Sequence, residues 1–213
     1  MFIRETMQNK VRQILSQEAE AVQNIPVTDS YEKVIDLIYK HVHKLRGKLV
    51  TSGMGKAGQI AHDIATTFSS TGTPAVFLHP SEAQHGDLGV LQENDLMLVI
   101  SNSGKTREII ELLDLKDNLF PEIPVVVITG NTSCPLWEKA TAGLFTGGPS
   151  EVCPLGLTPT TSTTVMTVIG DVLVALMIEK IGFTAAEYAK RHHGGYLGYK
   201  SRASSGDPGA VIY

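Results

Sequence analysis

The sequence predicts an α/β fold: a doubly wound parallel sheet of about five strands flanked by helices, with N-terminal helices before it. Three observations predict it. Short stretches such as Leu96–Ile100 (LMLVI) and Val125–Thr129 (VVVIT) are apolar and β-branched almost throughout, as strands covered on both faces are. Segments with helical spacing separate these stretches, so strand and helix alternate. The loops richest in Gly, hydroxyl and charged residues all follow strands, and a parallel sheet gathers ligands beyond the C-terminal ends of its strands.

Taken in order, Ile3 to Val22 places Ile3, Met7, Val11, Ile14 and Leu15 at helical spacing, which is an amphipathic helix ended by Pro26. Thr28 or Asp29 can cap a second helix carrying Val34, Ile35, Leu37, Ile38 and Val42, stopped near Gly47. Two helices cannot form a core alone, so they are expected to pack on the sheet or on a second subunit. Lys48–Ser52 is the first strand. Gly53-Met54-Gly55-Lys56-Ala57-Gly58 turns into a helix over about Gln59–Ser70, and Ala75–Leu78 is the second strand. The polar stretch His79–Asp87 reads as a loop. Leu96–Ile100 is the third strand, with a helix to about Asn118. Val125–Thr129 is the fourth strand, Pro135–Ala140 a short helix and Gly143–Thr146 the fifth strand. The long loop Ser150–Thr163 leads into an apolar helix over Val165–Ile181. Thr184, with Glu187 three residues on, has capping-box spacing for a last helix to Arg191. The domain reading is an N-terminal helical extension (residues 1–46), one core domain (47–200) and a tail (201–213).

The 213 residues suffice for one sizeable core. With 42% apolar and 19% charged residues the chain is globular rather than disordered. A net charge of −4 without a Lys/Arg run points away from nucleic acid and anionic membranes. Met1–Glu20 carries charges throughout and has no apolar core of a signal peptide. Val165–Ile181 holds Asp171, Glu179 and Lys180 and is short for a bilayer span, so a buried core helix is expected. Cys134 and Cys153 form no CxxC and read as reduced thiols of a cytoplasmic protein.

Two turns invite an anion. Ser101-Asn102-Ser103-Gly104-Lys105-Thr106 joins a strand directly to a helix that carries Ile109, Ile110, Leu112 and Leu113. Small hydroxyl residues and a Gly let backbone N–H groups converge there, and the helix adds its positive dipole end, which suits a phosphate. The plainer alternative is an N-cap by Ser103. Gly53-x-Gly55-x-x-Gly58 matches the dinucleotide fingerprint, but the acid that should end the second strand is missing, because that strand runs out in Phe77-Leu78-His79. These glycines also suit close helix–strand packing.

The motifs together resemble a known family. Ser52-Gly53-Met54-Gly55-Lys56, His79-Pro80 with Glu82-Ala83 and His85-Gly86-Asp87-Leu88-Gly89, Ser101-Asn102-Ser103-Gly104, Cys153-Pro154-Leu155-Gly156-Leu157 with Pro159-Thr160, and Gly194-Gly195 with Leu197-Gly198 are similar to the sugar isomerase (SIS) domain of arabinose 5-phosphate isomerases. The resemblance runs from about Lys48 to Gly198. It implies interconversion of ribulose 5-phosphate and arabinose 5-phosphate, which feeds synthesis of 3-deoxy-manno-octulosonate for lipopolysaccharide or capsule. It implies a homotetramer with active sites shared between subunits, and no cofactor. Members often carry C-terminal CBS modules. With the sequence ending at Tyr213, a short form without them is expected.

The resemblance places catalytic residues on Lys56, His85, Glu108, Glu151 and His192. Aldose–ketose isomerisation asks for such a set: a base for the proton next to the carbonyl, an acid for the oxygens, and positive charge by the oxyanion. Glu108 or Glu151 is the candidate base, with a pKa expected to be raised by burial. His85 or His192 is the candidate acid for ring opening. Ser52, Gly53, Ser101, Asn102, Ser103 and Thr106 are the expected phosphate and sugar contacts. Lys105 and Arg107 depart from the family pattern and are expected to meet extra negative charge. His193 is a second candidate beside His192. His79, Glu82, His85 and Asp87 fit no standard metal spacing, so no metal is expected. Two rival functions remain: another SIS-type isomerase acting on a different sugar phosphate, and a non-catalytic sugar-phosphate sensor. The sensor reading is weakened because the residues before the first strand contain no basic recognition helix.

Overall fold

In the computed structural model, residues 6–192 and 195–204 are described. Five parallel strands form one sheet: β1 (Leu49–Gly53), β2 (Ala75–Phe77), β3 (Leu96–Ile100), β4 (Val125–Thr129) and β5 (Ala142–Phe145). Their spatial order is β2-β1-β3-β4-β5. The register pairs Val50 with both Val76 and Met97, and Val99 with Val127. This is a doubly wound order whose direction of winding reverses between β1 and β3, which opens a crevice at their C-terminal ends.

Both faces of the sheet are covered, which is why the strands are apolar throughout. On one face Leu49, Leu98, Ile100, Val126 and Ile128 pack against α2 (Ser30–Ile38), α3 (Gly55–Ser70) and α7 (Thr161–Ile181). On the other, Val50, Met97, Val99 and Val127 pack against α4 (Pro80–Ala83), α5 (Arg107–Leu119) and α6 (Pro135–Lys139). Each fully buried Leu or Ile adds roughly 2 kcal/mol to folding. α7 is long and apolar enough to cross a membrane by length and composition, but Val165, Met166, Ile169, Leu173 and Met177 bury it against the sheet. It is the core helix that its charges predict.

The two N-terminal helices differ. α2 buries Val34, Ile35 and Ile38 and continues as a π-helical turn, Tyr39–Lys44. There His41 Nδ1 pairs with the Asn94 carbonyl at 3.1 Å and His43 Nε2 with Thr73 Oγ1 at 3.0 Å. α1 (Met7–Gln23) buries no residue, and Met7, Val11, Ile14 and Leu15 remain exposed where it lies along α7.

Three local expectations are corrected. α3 begins at Gly55 rather than Gln59, so the glycine turn forms the helix start itself. The expected loop His79–Asp87 contains α4, opened by Pro80 at its first position, and a 3-10 turn follows at Asp87–Val90. α8 (Ala185–Ala189), capped by Thr184 as its spacing predicts, is followed by α9 (Gly195–Ser204), which hydrophobic patterning does not announce. The two pack chiefly on each other.

Candidate active site

The crevice between β1 and β3 holds a cavity of about 320 Å3. Its lining includes Lys56 from the first turn of α3, Ser101, Asn102, Ser103 and Thr106 from the loop after β3, and Pro159, Ser162 and Thr163 from the start of α7. Five of the expected site residues are therefore brought together, and the size suits a small ligand.

The β3–α5 loop is shaped from outside. The Asn102 carbonyl accepts from Gly130 N–H at 3.1 Å and from Thr129 Oγ1 at 3.3 Å. The Ser103 carbonyl accepts from Asn131 Nδ2 at 3.1 Å, and the Gly104 carbonyl from Leu136 N–H at 3.4 Å. Three successive carbonyls are thus tied back to the β4–α6 turn. Gly104 has φ +65°, and a Cβ there would lie 2.1 Å from Cys134 Sγ, so only glycine fits. Ser101 Oγ and Thr106 Oγ1 are bonded at 2.7 Å. The N–H groups of Asn102, Ser103 and Thr106 make no hydrogen bond among the described residues, and Thr106 at the N-cap gives α5 no side-chain cap. N–H groups without partners among the described residues, hydroxyls and a helix start around one crevice are chemistry that can cradle an anion. Lys56 is exposed, and among the described residues its one hydrogen-bond contact is a long 3.4 Å approach to Gln59.

Glu151 lies on the other side of the α7 start. Its Oε2 accepts from Thr160 N–H at 2.7 Å, Thr160 Oγ1 at 2.9 Å and Ser162 N–H at 3.2 Å. It lines a second, polar cavity of about 380 Å3 with Gln17, Glu20 and Asn24. The two cavities share a wall, because Ser162 lines the first and its backbone holds Glu151. The expected rise in the Glu151 pKa is corrected. Burial pushes the carboxyl up, but hydrogen bonds from the hydroxyls and backbone of Ser162 and Thr160 outweigh it and hold the group below its ordinary value.

The remaining expected residues are placed apart. Ser52 is fully buried and its hydroxyl donates to the Leu78 carbonyl at 2.7 Å. Gly53 is tightly packed. A Cβ there would lie 2.8 Å from the Ala57 carbonyl, and one at Gly58 would lie 2.6 Å from the Gly53 carbonyl. The glycines let α3 start hard against β1. Glu108 occupies the first turn of α5, half-buried. His85 is exposed in the turn after α4. Lys105 and Arg107 stand exposed on the rim of the cradle, Arg107 reaching Glu111 at 3.3 Å. His192 stacks on Tyr188 at 3.6 Å between ring centres and shares a 3.0 Å bond with the Tyr188 carbonyl, on the α8–α9 segment away from both cavities. His193 lies outside the described residues. Among the described residues, no three His, Cys, Asp or Glu side chains gather to hold a metal.

Residues 43–176 match the SIS domain family. The chain belongs to the SIS-domain family. The arabinose 5-phosphate isomerase KdsD of Pseudomonas aeruginosa is 42% identical over 183 residues, covering 85% of this chain and 54% of that protein. The KdsD of Escherichia coli K12 is 44% identical over 155 residues, 73% of this chain and 47% of that protein. The chain therefore spans about half the length of these relatives. A solved structure from Bacteroides fragilis, of a candidate phosphosugar isomerase involved in capsule formation, is 64% identical with a TM-score of 0.89, covering 90% of this chain and all of that one. An E. coli CFT073 protein solved in complex with arabinose 5-phosphate is 32% identical with a TM-score of 0.79, covering 85% of this chain and 95% of that one. Within this SIS domain, sequence reasoning missed Asn131, read only as part of a turn, and gave no hint of the ties from the β4–α6 turn to the Ser101–Thr106 loop. The sole signal was a Gly-Asn pair at the end of a buried strand.

Proposed function

We propose that this SIS-domain protein is an aldose–ketose isomerase that interconverts D-ribulose 5-phosphate and D-arabinose 5-phosphate. The carrying observation is the cavity at the β1/β3 crevice, where Lys56 stands across from the hydroxyls and unpaired N–H groups of the Ser101–Thr106 loop. The loop is assigned the phosphate. Lys56 is assigned to the phosphate or to the carbonyl oxygen as negative charge develops on it. The relatives' names and the neighbouring structure with arabinose 5-phosphate bound support the choice of sugar.

The chemistry requires a proton to leave C1 of the ketose, an enediol to form, and a proton to be delivered to C2. Glu151 or Glu108 is assigned as base. Glu151 is held ionised near neutral pH, so it is ready to accept a proton. His85 or His192, with His193 as an alternative, is assigned to proton transfer at the sugar oxygens. His192 sits on a segment packed chiefly on itself; the reading includes a homotetramer in which one subunit's His192 completes a neighbour's site. Lys105 and Arg107 are assigned to a further negative group on a ligand or regulator. The reading places the enzyme in the cytoplasm, upstream of 3-deoxy-manno-octulosonate for lipopolysaccharide or capsule, without a cofactor or metal.

A panel of arabinose 5-phosphate, ribose 5-phosphate, glucose 6-phosphate and sedoheptulose 7-phosphate tests the assignment. Ketose formation from arabinose 5-phosphate in clear preference supports it. Preference for another sugar phosphate, or none, overturns it.

A further inference from the structure

We propose that Glu18, on the N-terminal helix α1, is a positioning residue that sets the active-site loop through Thr161. This rests on the reading that Glu151 works in the site. Glu18 reaches from α1 to the start of α7, where its Oε1 accepts from Thr161 Oγ1 at 2.9 Å. Thr161 is buried, and its hydroxyl oxygen also accepts from Val152 N–H at 3.0 Å. A hydroxyl has one hydrogen, and an ionised carboxylate only accepts. Glu18 therefore takes that hydrogen and leaves the lone pairs of Thr161 for Val152. Val152 follows Glu151 directly, and Thr160 and Ser162, which hold Glu151, flank Thr161. One carboxylate on α1 thus fixes both ends of the loop that carries the candidate base.

A second observation separates this role from ordinary fold support. Glu18 Oε2 is buried without a hydrogen-bond partner among the described residues. A buried orphan oxygen costs stability. α1 buries no side chain. A residue kept only to attach α1 would be better served by an apolar contact. Positions that break a local rule at a stability cost gather at functional sites.

The test uses Glu18→Ala and Glu18→Gln in the full chain, with two readouts. The first is steady-state kinetics on the sugar phosphate. The second is the pH midpoint of Cys153 alkylation. Cys134 is buried, so a thiol reagent reads Cys153, which hydrogen bonds from Thr158, Leu155 and Leu157 hold down to about 7. Glu18→Ala is expected to lower kcat about tenfold with KM little changed, and to move the Cys153 midpoint upward as the loop loosens. Glu18→Gln keeps an acceptor for Thr161 and is expected to restore both readouts. If Glu18→Ala leaves both unchanged, or if Glu18→Gln behaves like Glu18→Ala, the proposal is overturned. Should Glu18→Ala fail to fold, Thr161→Val and Thr161→Ser decide in its place: the valine is expected to reproduce the loss and the serine to relieve it, and a fully active valine variant overturns the proposal. The Cys153 midpoint reports on the loop whatever the substrate, so failure of the isomerase reading and failure of this one are told apart.

Discussion

The Asn131 side-chain amide donates to the Ser103 carbonyl at 3.1 Å, joining the β4–α6 turn to the Ser101–Thr106 loop. With the Gly130 and Leu136 N–H groups it engages three successive carbonyls of that loop, whose Asn102, Ser103 and Thr106 N–H groups make no hydrogen bond among the described residues. Loss of this bond should loosen the cradle. Asn131→Ala is expected to raise KM, and the inhibition constant of inorganic phosphate in parallel, by roughly fivefold, the worth of about 1 kcal/mol for one hydrogen bond. Parallel inhibition kinetics check it. An effect on kcat alone would place Asn131 elsewhere in the reaction.

With Glu151 as the proposed base, the hydrogen bonds it accepts are expected to set the acid limb of the pH–rate profile. Because Ser162 and Thr160 hold the carboxyl below its ordinary value, kcat/KM should stay high until the pH drops beneath the usual carboxylate range. Ser162→Ala removes a donor, so the limb should move to higher pH, with less than about a tenfold loss at neutral pH. The stability that Glu151 adds follows the same sign. It is present above the unfolded carboxylate value and fades as pH falls through the lower folded one. A limb that shifts down in Ser162→Ala would contradict the role given to these donors.

Sequence and structure agree where physics is local and repetitive. The strands Leu96–Ile100 and Val125–Thr129 were legible to the residue, because burial on both faces leaves them apolar but for Thr129 at the end of β4. That the Ser101–Thr106 loop lines a cavity was legible from its place between strand and helix. The burial of Ser52 and the close packing of Gly53 were not legible, because a buried hydroxyl and a packing glycine look the same in one dimension as exposed ones. Glu18 and Asn131 act across 143 and 28 positions of sequence, respectively, and such long-range bonds leave no periodic trace. α9 was missed because its Gly- and Ser-bearing sequence has no apolar stripe.

Lys105 and Arg107 stand exposed at the cradle rim. Single exposed charges contribute at most about 1 kcal/mol. The double variant Lys105→Ala/Arg107→Ala should raise substrate KM, or weaken inhibition by acidic downstream sugars, by roughly twofold to tenfold, and added salt should erase the difference. Titrations at low and high salt check it. No change in either constant would leave these cations outside the site.

His192 and Lys56 are expected to act together across a subunit boundary. Lys56→Ala and His192→Ala should each be nearly inactive alone. Co-expressed in equal amounts, they should regain roughly a quarter of wild-type activity, the share of sites that combine the intact Lys56 of one subunit with the intact His192 of another. No recovery in mixed oligomers would place both residues in the site of a single chain.

The central claim is proton transfer between C1 and C2 of a pentose phosphate, and proton NMR of the purified protein with ribulose 5-phosphate in deuterated water tests it most directly. The account predicts that arabinose 5-phosphate appears with deuterium at C2, delivered by a base that exchanges with solvent. Ribose 5-phosphate in its place, or no turnover with or without added divalent metal, would contradict it.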